Sequence, residues 1–266
     1  MAAGFRPETV VAIDAVTHAF AIARRGVAGS DVSTKDGRDV VTSSDLAVED
    51  AVRRILTDAL NCPVIGEERG GAGTGDAGGT GPATAYWLVD PICGTRNFVS
   101  RIPLYCVNLA LVERGEVAVA VVGNPTTGEV VVAERGQGAW SLGDGARRRL
   151  ATSDASRTIV VEDGKAKGPR RAQAAQFAAA AIRADRWDFR SLGTTLAAPY
   201  LAAGQIAAYA VFCVSAIHAA AGSLLVLEAG GTISDLAGRA WTVESDSFVG
   251  SANARLHAEL LDLARA

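Results

Sequence analysis

The sequence predicts a mixed α/β protein of the α+β class, and two observations carry that expectation. Apolar residues recur at helical spacing at both ends of the chain, whereas Tyr86 to Trp140 reads as β-rich runs broken by turns. After about Ser153 strands and helices alternate. The change of pattern divides the chain into residues 1–145 and 146–266, two halves expected to form one compact unit, the first carrying the site motifs.

Each element follows from its local pattern. Val10, Val11, Ile13, Val16, Phe20 and Ile22 outline a helical stripe ended by Gly26. A second helix is expected from Ser43 or Ser44 to Leu60, with Ser44 as its cap and Ala47, Val52, Ile55 and Leu56 facing inward. "CPVIGEERG" reads as a short strand running into a turn, and "GGAGTGDAGGTGPAT" as a mobile surface loop. "YWLVD", "LYCVNLALVERGEVAVAVVGNP" and "GEVVVAERGQGAW" are strands, with hairpin turns at Arg114-Gly115-Glu116 and Pro125 to Gly128. Strands follow at "RTIVVE", "IAAYAVF", "GTISD" and "SFVGS". Helices are expected at "PRRAQAAQFAAAAIRA", "LGTTLAAPYLAAG" and "SAIHAAAGSLLVLEAG", and from Ala254 to the end.

Bulk properties narrow the function. The 266 residues include 49% apolar side chains, enough for a sizeable core, and the net charge of −3 argues against nucleic-acid or anionic-membrane binding. No apolar run reaches the ~18 residues of a membrane span. Glu8 and Asp14 interrupt any signal-peptide core, so a cytoplasmic protein is expected. The four cysteines lack CxxC spacing and read as reduced thiols. Cys62, Cys106 and Cys213 are expected in or near the core, and His18 and His257 at the surface or its boundary.

Three acidic elements stand just after a hydrophobic segment or at a helix start: Asp45 in "DVVTSSD", Glu67 with Glu68 in "VIGEE", and Asp90 in "WLVDPICGTRNF". Carboxylates so placed beside a helix N-terminus suit hard cations and the phosphate they hold. Taken singly, each is a solvated charge or a cap.

Together with "PLYCVNLALVERGE" and "AAAGSLLVLEAGGTISD", these motifs resemble the inositol monophosphatase family, magnesium-dependent and lithium-sensitive sugar-phosphate phosphatases. The resemblance implies a layered αβαβα sandwich and a homodimer. It implies that Glu67, Asp90 and the Ile92 carbonyl hold a first metal, and that Asp45 and Thr95 orient the attacking water. Gly94 and Thr95 would grip phosphate through the backbone. Gly193 and Thr194 match a segment near the substrate. Lys35 resembles a basic residue beside the metal loop. Arg190 and Ser191 are candidates for anion binding, and Arg147 to Arg149 read as a solvated turn.

The departures from the family pattern are specific. Cys93 replaces the aspartate of Asp-Pro-Ile-Asp-Gly-Thr. Ten residues before Glu228, where the family has Trp-Asp, this chain has Ile217-His218. Those two lost aspartates, with the one matching Asp90, hold the family's second metal. Val211 stands where several members carry an acidic sugar contact. Charges ~4 Å apart interact by about 4 kcal/mol at an effective dielectric near 20, so losing two carboxylates weakens a magnesium site severely.

If the backbone is kept, the Cys93 sulfur and the His218 imidazole should lie roughly 3–4 Å apart, as a nucleophile and its base do. A helix N-terminus and a histidine would lower the thiol pKa from about 8.5, and Asp90 would orient the imidazole. The N–H groups of Gly94 and Thr95 would then serve as an oxyanion hole. Three readings stay open. One is Cys93–His218 catalysis of acyl-type transfer, hydrolysis or cyclisation, with no cofactor. Another is a surviving phosphomonoesterase using Mg2+, or Zn2+ held by Asp90, Cys93 and His218. The third is a non-catalytic binding or regulatory relative.

Overall fold

The computed structural model describes residues 4–34, 39–71, 84–143 and 145–265. The chain opens with α1 (Pro7–Gly26), which has Pro7 in its first turn, Glu8 beside its positive end and Arg24 and Arg25 at its negative end. Its buried face is Thr9, Ala12, Ala15, Val16, Ala19, Phe20 and Ala23. The predicted stripe is thus displaced: Val10 is exposed, and alanines let the helix lie close to the sheet. A short ribbon, β1 (Val32–Thr34) against β2 (Val40–Thr42), leads into α2 (Ser43–Ala59). Thr42 caps α2, not Ser44, because Thr42 and Asp45 bond reciprocally in a capping box. That start turns Val48 inward and leaves Ala47 exposed, against expectation.

The first sheet has seven strands in chain order: β3 (Val64–Gly66), β4 (Ala85–Cys93), β5 (Cys106–Glu113), β6 (Glu116–Gly123), β7 (Val130–Glu134), β8 (Gly138–Gly143) and β9 (Ala146–Arg149). The short α3 (Thr95–Val99) lies between β4 and β5. Within this sheet, among the described residues, only β3 and β4 pair in parallel. β6 is buried along both faces, which explains its unbroken apolar run. Arg147 to Arg149 belong to the edge strand β9, a correction to the predicted turn, and Arg147 lies over the rings of Phe5 and Trp140.

The second sheet takes the order β11-β10-β12-β14-β13. Its elements are β10 (Thr158–Glu162), α4 (Gly168–Arg183), β11 (Asp188–Arg190), α5 (Ala197–Ala202), β12 (Ala208–Val211), α6 (Ala216–Glu228), β13 (Thr232–Ser234), β14 (Phe248–Ser251) and α7 (Ala254–Arg265). The predicted helix at "LGTTLAAPYLAAG" shrinks to α5. Its first residues instead form a turn in which Leu196 N–H donates to Thr194 Oγ1.

The layers are helix, sheet, helix, sheet, helix. Val107, Leu109, Val119 and Val121 of the first sheet pack with α1 and α2. The opposite face, including Ala110, Ala120 and Val122, packs with Ala220, Leu224 and Leu225 of α6. Ala219 and Val226 of α6 join Tyr209 and Phe248 of the second sheet, whose far side carries α4 and α7. Each of the larger side chains here, valine, leucine or phenylalanine, gains about 1.5–3 kcal/mol on burial, so α6 is held from both sides. Among the described residues no helix is long and apolar enough to cross a membrane.

Cys106 is fully buried, while Cys62 and Cys213 are half-buried. His18 is exposed. His257 is not at the surface: it is buried, with its ring nitrogens 2.8 Å from Ser234 Oγ and 3.2 Å from Ser251 Oγ. Lys35 and most of the glycine-rich loop lie outside the described residues.

Candidate active site

β4 delivers the central carboxylate. The strand does not end at Asp90 but continues to Cys93, with an irregular register between Asp90 and Cys93 around Pro91, which has no N–H to give. Gly94 then turns the chain into α3 with φ near +100°. A Cβ there would sit 2.8 Å from the Leu104 carbonyl oxygen and 3.1 Å from Thr194 Cβ. Gly94→Ala should therefore cost at least about 1–2 kcal/mol from the left-handed backbone alone. A thermal melt should show the loss as a drop of several degrees, since each kcal/mol moves the midpoint by ~2–4 °C in a chain of this size.

Asp45 and Thr95 meet as expected. Thr95 Oγ1 lies 3.3 Å from Asp45 Oδ1 and 3.1 Å from the Ile92 carbonyl, so its single proton can serve either acceptor. Asp45 Oδ2 accepts from Thr42 N–H at 2.9 Å and Thr42 Oγ1 at 2.5 Å. Burial pushes the Asp45 carboxyl up to about 6 despite the Thr42 hydrogen bonds, with Glu68 and Asp90 adding repulsion.

Glu67 is set beside Asp90 by β3, and its N–H donates to the Val89 carbonyl. Its loop is fixed by a residue the sequence reading missed. Glu49 is fully buried and accepts from the N–H groups of Glu68 (2.7 Å) and Arg69 (3.0 Å). Gly66 gives that carboxylate its room, since a Cβ there would lie 1.9 Å from Glu49 Oε1. Lys165, also missed, comes from the other half of the chain. Its Nζ is 2.8 Å from Asp39 and 4.0 Å from Glu67.

His218 projects from the first turn of α6. Its Nδ1 is 2.7 Å from Asp90 Oδ2, and its Nε2 is 3.9 Å from Glu67 Oε1. Both ring nitrogens thus face carboxylates. Burial alone would lower the imidazole pKa, but the charge and hydrogen bond of Asp90, with a smaller effect of Cys93, outweigh it and raise it well above the ordinary histidine value. Asn108 Nδ2 donates to the His218 carbonyl at 2.9 Å and fixes this end of the helix.

Cys93 and His218 do converge. A carboxylate oxygen of Asp90, the sulfur of Cys93 and a ring nitrogen of His218 lie within 4.8 Å of one another. The expected thiol acidity is not found. Cys93 pairs directly across from Cys106, and the Cys106 thiol, burial and the charge of Asp90 raise the Cys93 pKa well above the ordinary thiol value. The imidazole's opposing effect is smaller. The backbone N–H that reaches the sulfur is Thr195's, at 3.4 Å, and not one of the pair expected as an oxyanion hole.

Thr194 Oγ1 donates to the Cys93 carbonyl at 3.1 Å, which places the Gly193–Thr194 segment against the site. Glu162, another missed residue, holds that segment by accepting from Ser191 Oγ and from the N–H groups of Leu192 and Gly193. Ser191 is therefore bound to a carboxylate and not poised for an anion. Arg190 points its guanidinium at its neighbour's carbonyl, that of Phe189. Val211 lines a small apolar cavity beside His218, together with Thr195, Tyr209, Val214 and Phe248.

The layered fold and the carboxylates gathered at the end of β4 define a family. Residues 6–266 match the sequence profile of the inositol monophosphatase family, and the chain belongs to it. It is 33% identical to the Nus factor SuhB of Escherichia coli K12 over 214 residues, covering 78% of this chain and 76% of that one. It is 30% identical to an inositol-1-monophosphatase of Caulobacter vibrioides over 242 residues, 88% and 91% of the two chains. Among solved structures, the suhB protein of Bartonella henselae superposes with a TM-score of 0.86 at 25% identity, covering 98% of this chain and 99% of that one.

The family is normally magnesium-dependent, and the residues present fit that ion at one position only. Asp90 is fully buried and its Oδ1 accepts no hydrogen bond, so that oxygen is open to a cation. The second position offers sulfur and imidazole nitrogen, which magnesium binds poorly.

Proposed function

We propose that the protein is a divalent-metal-dependent phosphomonoesterase acting on a small phosphorylated metabolite. The observation that carries this reading is the buried Oδ1 of Asp90, which has no hydrogen-bond partner, in a chain whose Asp45 and Thr95 also meet. Glu67, Asp90 and the Ile92 carbonyl would hold one hard ion, which when bound supplies charge neutralisation at the phosphate. Thr95 and Asp45 orient the attacking water, and Asp45 takes its proton; a carboxyl tuned upward to about 6 suits that task near neutral pH. Gly94, Thr95 and the Thr194 turn hold the phosphate group. Val211 in place of an acidic group favours an alcohol less polar than a polyol.

The test is phosphate release from a panel of sugar and alkyl phosphates by metal-stripped protein. Activity should require added Mg2+, and Glu67→Gln should lower it by about 100-fold or more. The Asp90–His218 contact favours a second reading, thiol catalysis at Cys93. That reading needs a thiolate, whereas the Cys106 thiol, burial and the Asp90 charge push the Cys93 thiol up. Rapid iodoacetamide labelling of Cys93 well below pH 8, lost in His218→Ala, together with no Mg2+-dependent phosphate release, would establish it instead. Failure of both assays, with metabolite binding retained, would leave a binding or regulatory relative.

A further inference from the structure

We infer that Asp90, Cys93 and His218 form a zinc site. The inference deepens the phosphatase reading, on which it rests for its role but not for its existence. Three donors of different chemistry, a carboxylate oxygen, a sulfur and an imidazole nitrogen, lie within 4.8 Å of one another. Zinc takes such mixed sets in tetrahedral geometry, and three protein ligands with one open position is its catalytic arrangement. Magnesium, which wants near-octahedral oxygens, is selected against by the same set.

The cluster is built rather than incidental. Asp90 is fully buried and Cys93 is 8% exposed, so neither is a solvated surface group that happens to lie nearby. His218 is the most open of the three, with its side chain 22% exposed, so a bound ion would be reached from its side of the cluster.

The surrounding contacts match what ligating groups need. The Thr195 N–H points at the sulfur from 3.4 Å, the kind of donor that steadies a thiolate ligand. When Nδ1 serves as the ligand, Nε2 carries the proton and faces Glu67 at 3.9 Å, a carboxylate placed to orient the ring. Asn108 fixes the backbone of His218, and Thr194 fixes that of Cys93.

Asp90 can serve both positions. Its Oδ2 faces His218, and its Oδ1 has no hydrogen-bond partner. One oxygen then joins the zinc while the other meets the hard ion at Glu67. The paired change from two aspartates to a cysteine and a histidine is therefore a change of metal at one position, with the other position kept.

The experiment is direct metal titration of the metal-stripped full chain by calorimetry, with Co2+ as a spectroscopic stand-in. One equivalent of Zn2+ should bind in the presence of millimolar Mg2+, and Co2+ should give the near-ultraviolet charge-transfer band of a thiolate ligand. Cys93→Asp should abolish that band and weaken Zn2+ binding by on the order of 100-fold or more, beyond the 10–100-fold typical of losing an orienting contact. Cys106→Ala, which removes the neighbouring thiol, should keep both signals, and the far-ultraviolet circular dichroism of each variant checks its fold. Zn2+ binding no tighter than Mg2+, or equally tight in Cys93→Asp, would overturn the inference. Zinc binding without any phosphate release would instead sink only the phosphatase reading. Magnesium-dependent phosphate release without tight zinc would sink only the zinc site.

Discussion

Asp90→Asn is expected to lower Mg2+-dependent phosphate release by about three orders of magnitude, which corresponds to roughly 4 kcal/mol of transition-state stabilisation. The substitution is nearly isosteric, so the loss reports charge and not shape. It should also change how stability depends on pH in the metal-free protein. The folded-state pKa of His218 is raised, so its contribution is fully present below the unfolded value of about 6.5 and is lost as pH rises through the folded value. The wild-type chain should therefore lose stability progressively above about pH 6.5. Asp90→Asn removes the main source of that shift, so its melting temperature should be flatter across the same range. Wild-type phosphate release retained within tenfold in this variant would contradict the assignment of Asp90.

Asp45→Asn should do the opposite to stability. Burial raises the Asp45 pKa to about 6, with Glu68 and Asp90 adding to it. An acid whose folded pKa lies above its unfolded value, about 3.9, binds its proton more tightly when folded. The metal-free protein therefore loses stability as pH rises from about 4 to 6, and the penalty of the buried charge is complete above that. A shift of about two units corresponds to roughly 2–3 kcal/mol. Asn removes the charge and keeps an acceptor for the Thr42 N–H, so at pH 7 the variant should melt about 5–10 °C higher. Its activity should fall by about 10²–10⁴, the range of a lost general base. A variant both more stable and less active would show a carboxylate retained for chemistry at the expense of the fold. If wild type and Asp45→Asn showed the same dependence of melting temperature on pH across 4–7, the upward push on the Asp45 carboxyl would be refuted.

Much of this was legible in the sequence, for identifiable reasons. The hairpin at Arg114-Gly115 and the unbroken apolar run of β6 are local signals, and both stand where the pattern puts them. The meeting of Cys93 with His218 could be anticipated only from the family pattern, because 125 positions separate them. What escaped were groups whose role depends on a distant partner. Glu49 reads as an ordinary helical acid until the Glu67 loop folds back on it, and Glu162 as the end of a strand until Gly193 arrives. The acidity of Cys93 was misjudged for the same reason. A helix N-terminus and a histidine were visible, whereas the Cys106 thiol across the sheet and the depth of burial were not. The stripe on α1 was misplaced because alanine, a weak hydrophobe, wins where a helix must lie flat on a sheet.

The position of α6 between the two sheets has a consequence for motion. A helix lying on the outside of a domain can fray or lift away on its own, but this one is clamped by packed layers above and below. Its amide hydrogens should exchange with deuterium only when the whole molecule opens, and so rank among the slowest in the chain. The imidazole of His218 thus rides on a helix packed from two sides, while its partners on β4 belong to the first sheet. Any substrate that enters must adapt to that fixed ring, and the compliance needed for turnover has to come from the loops around it.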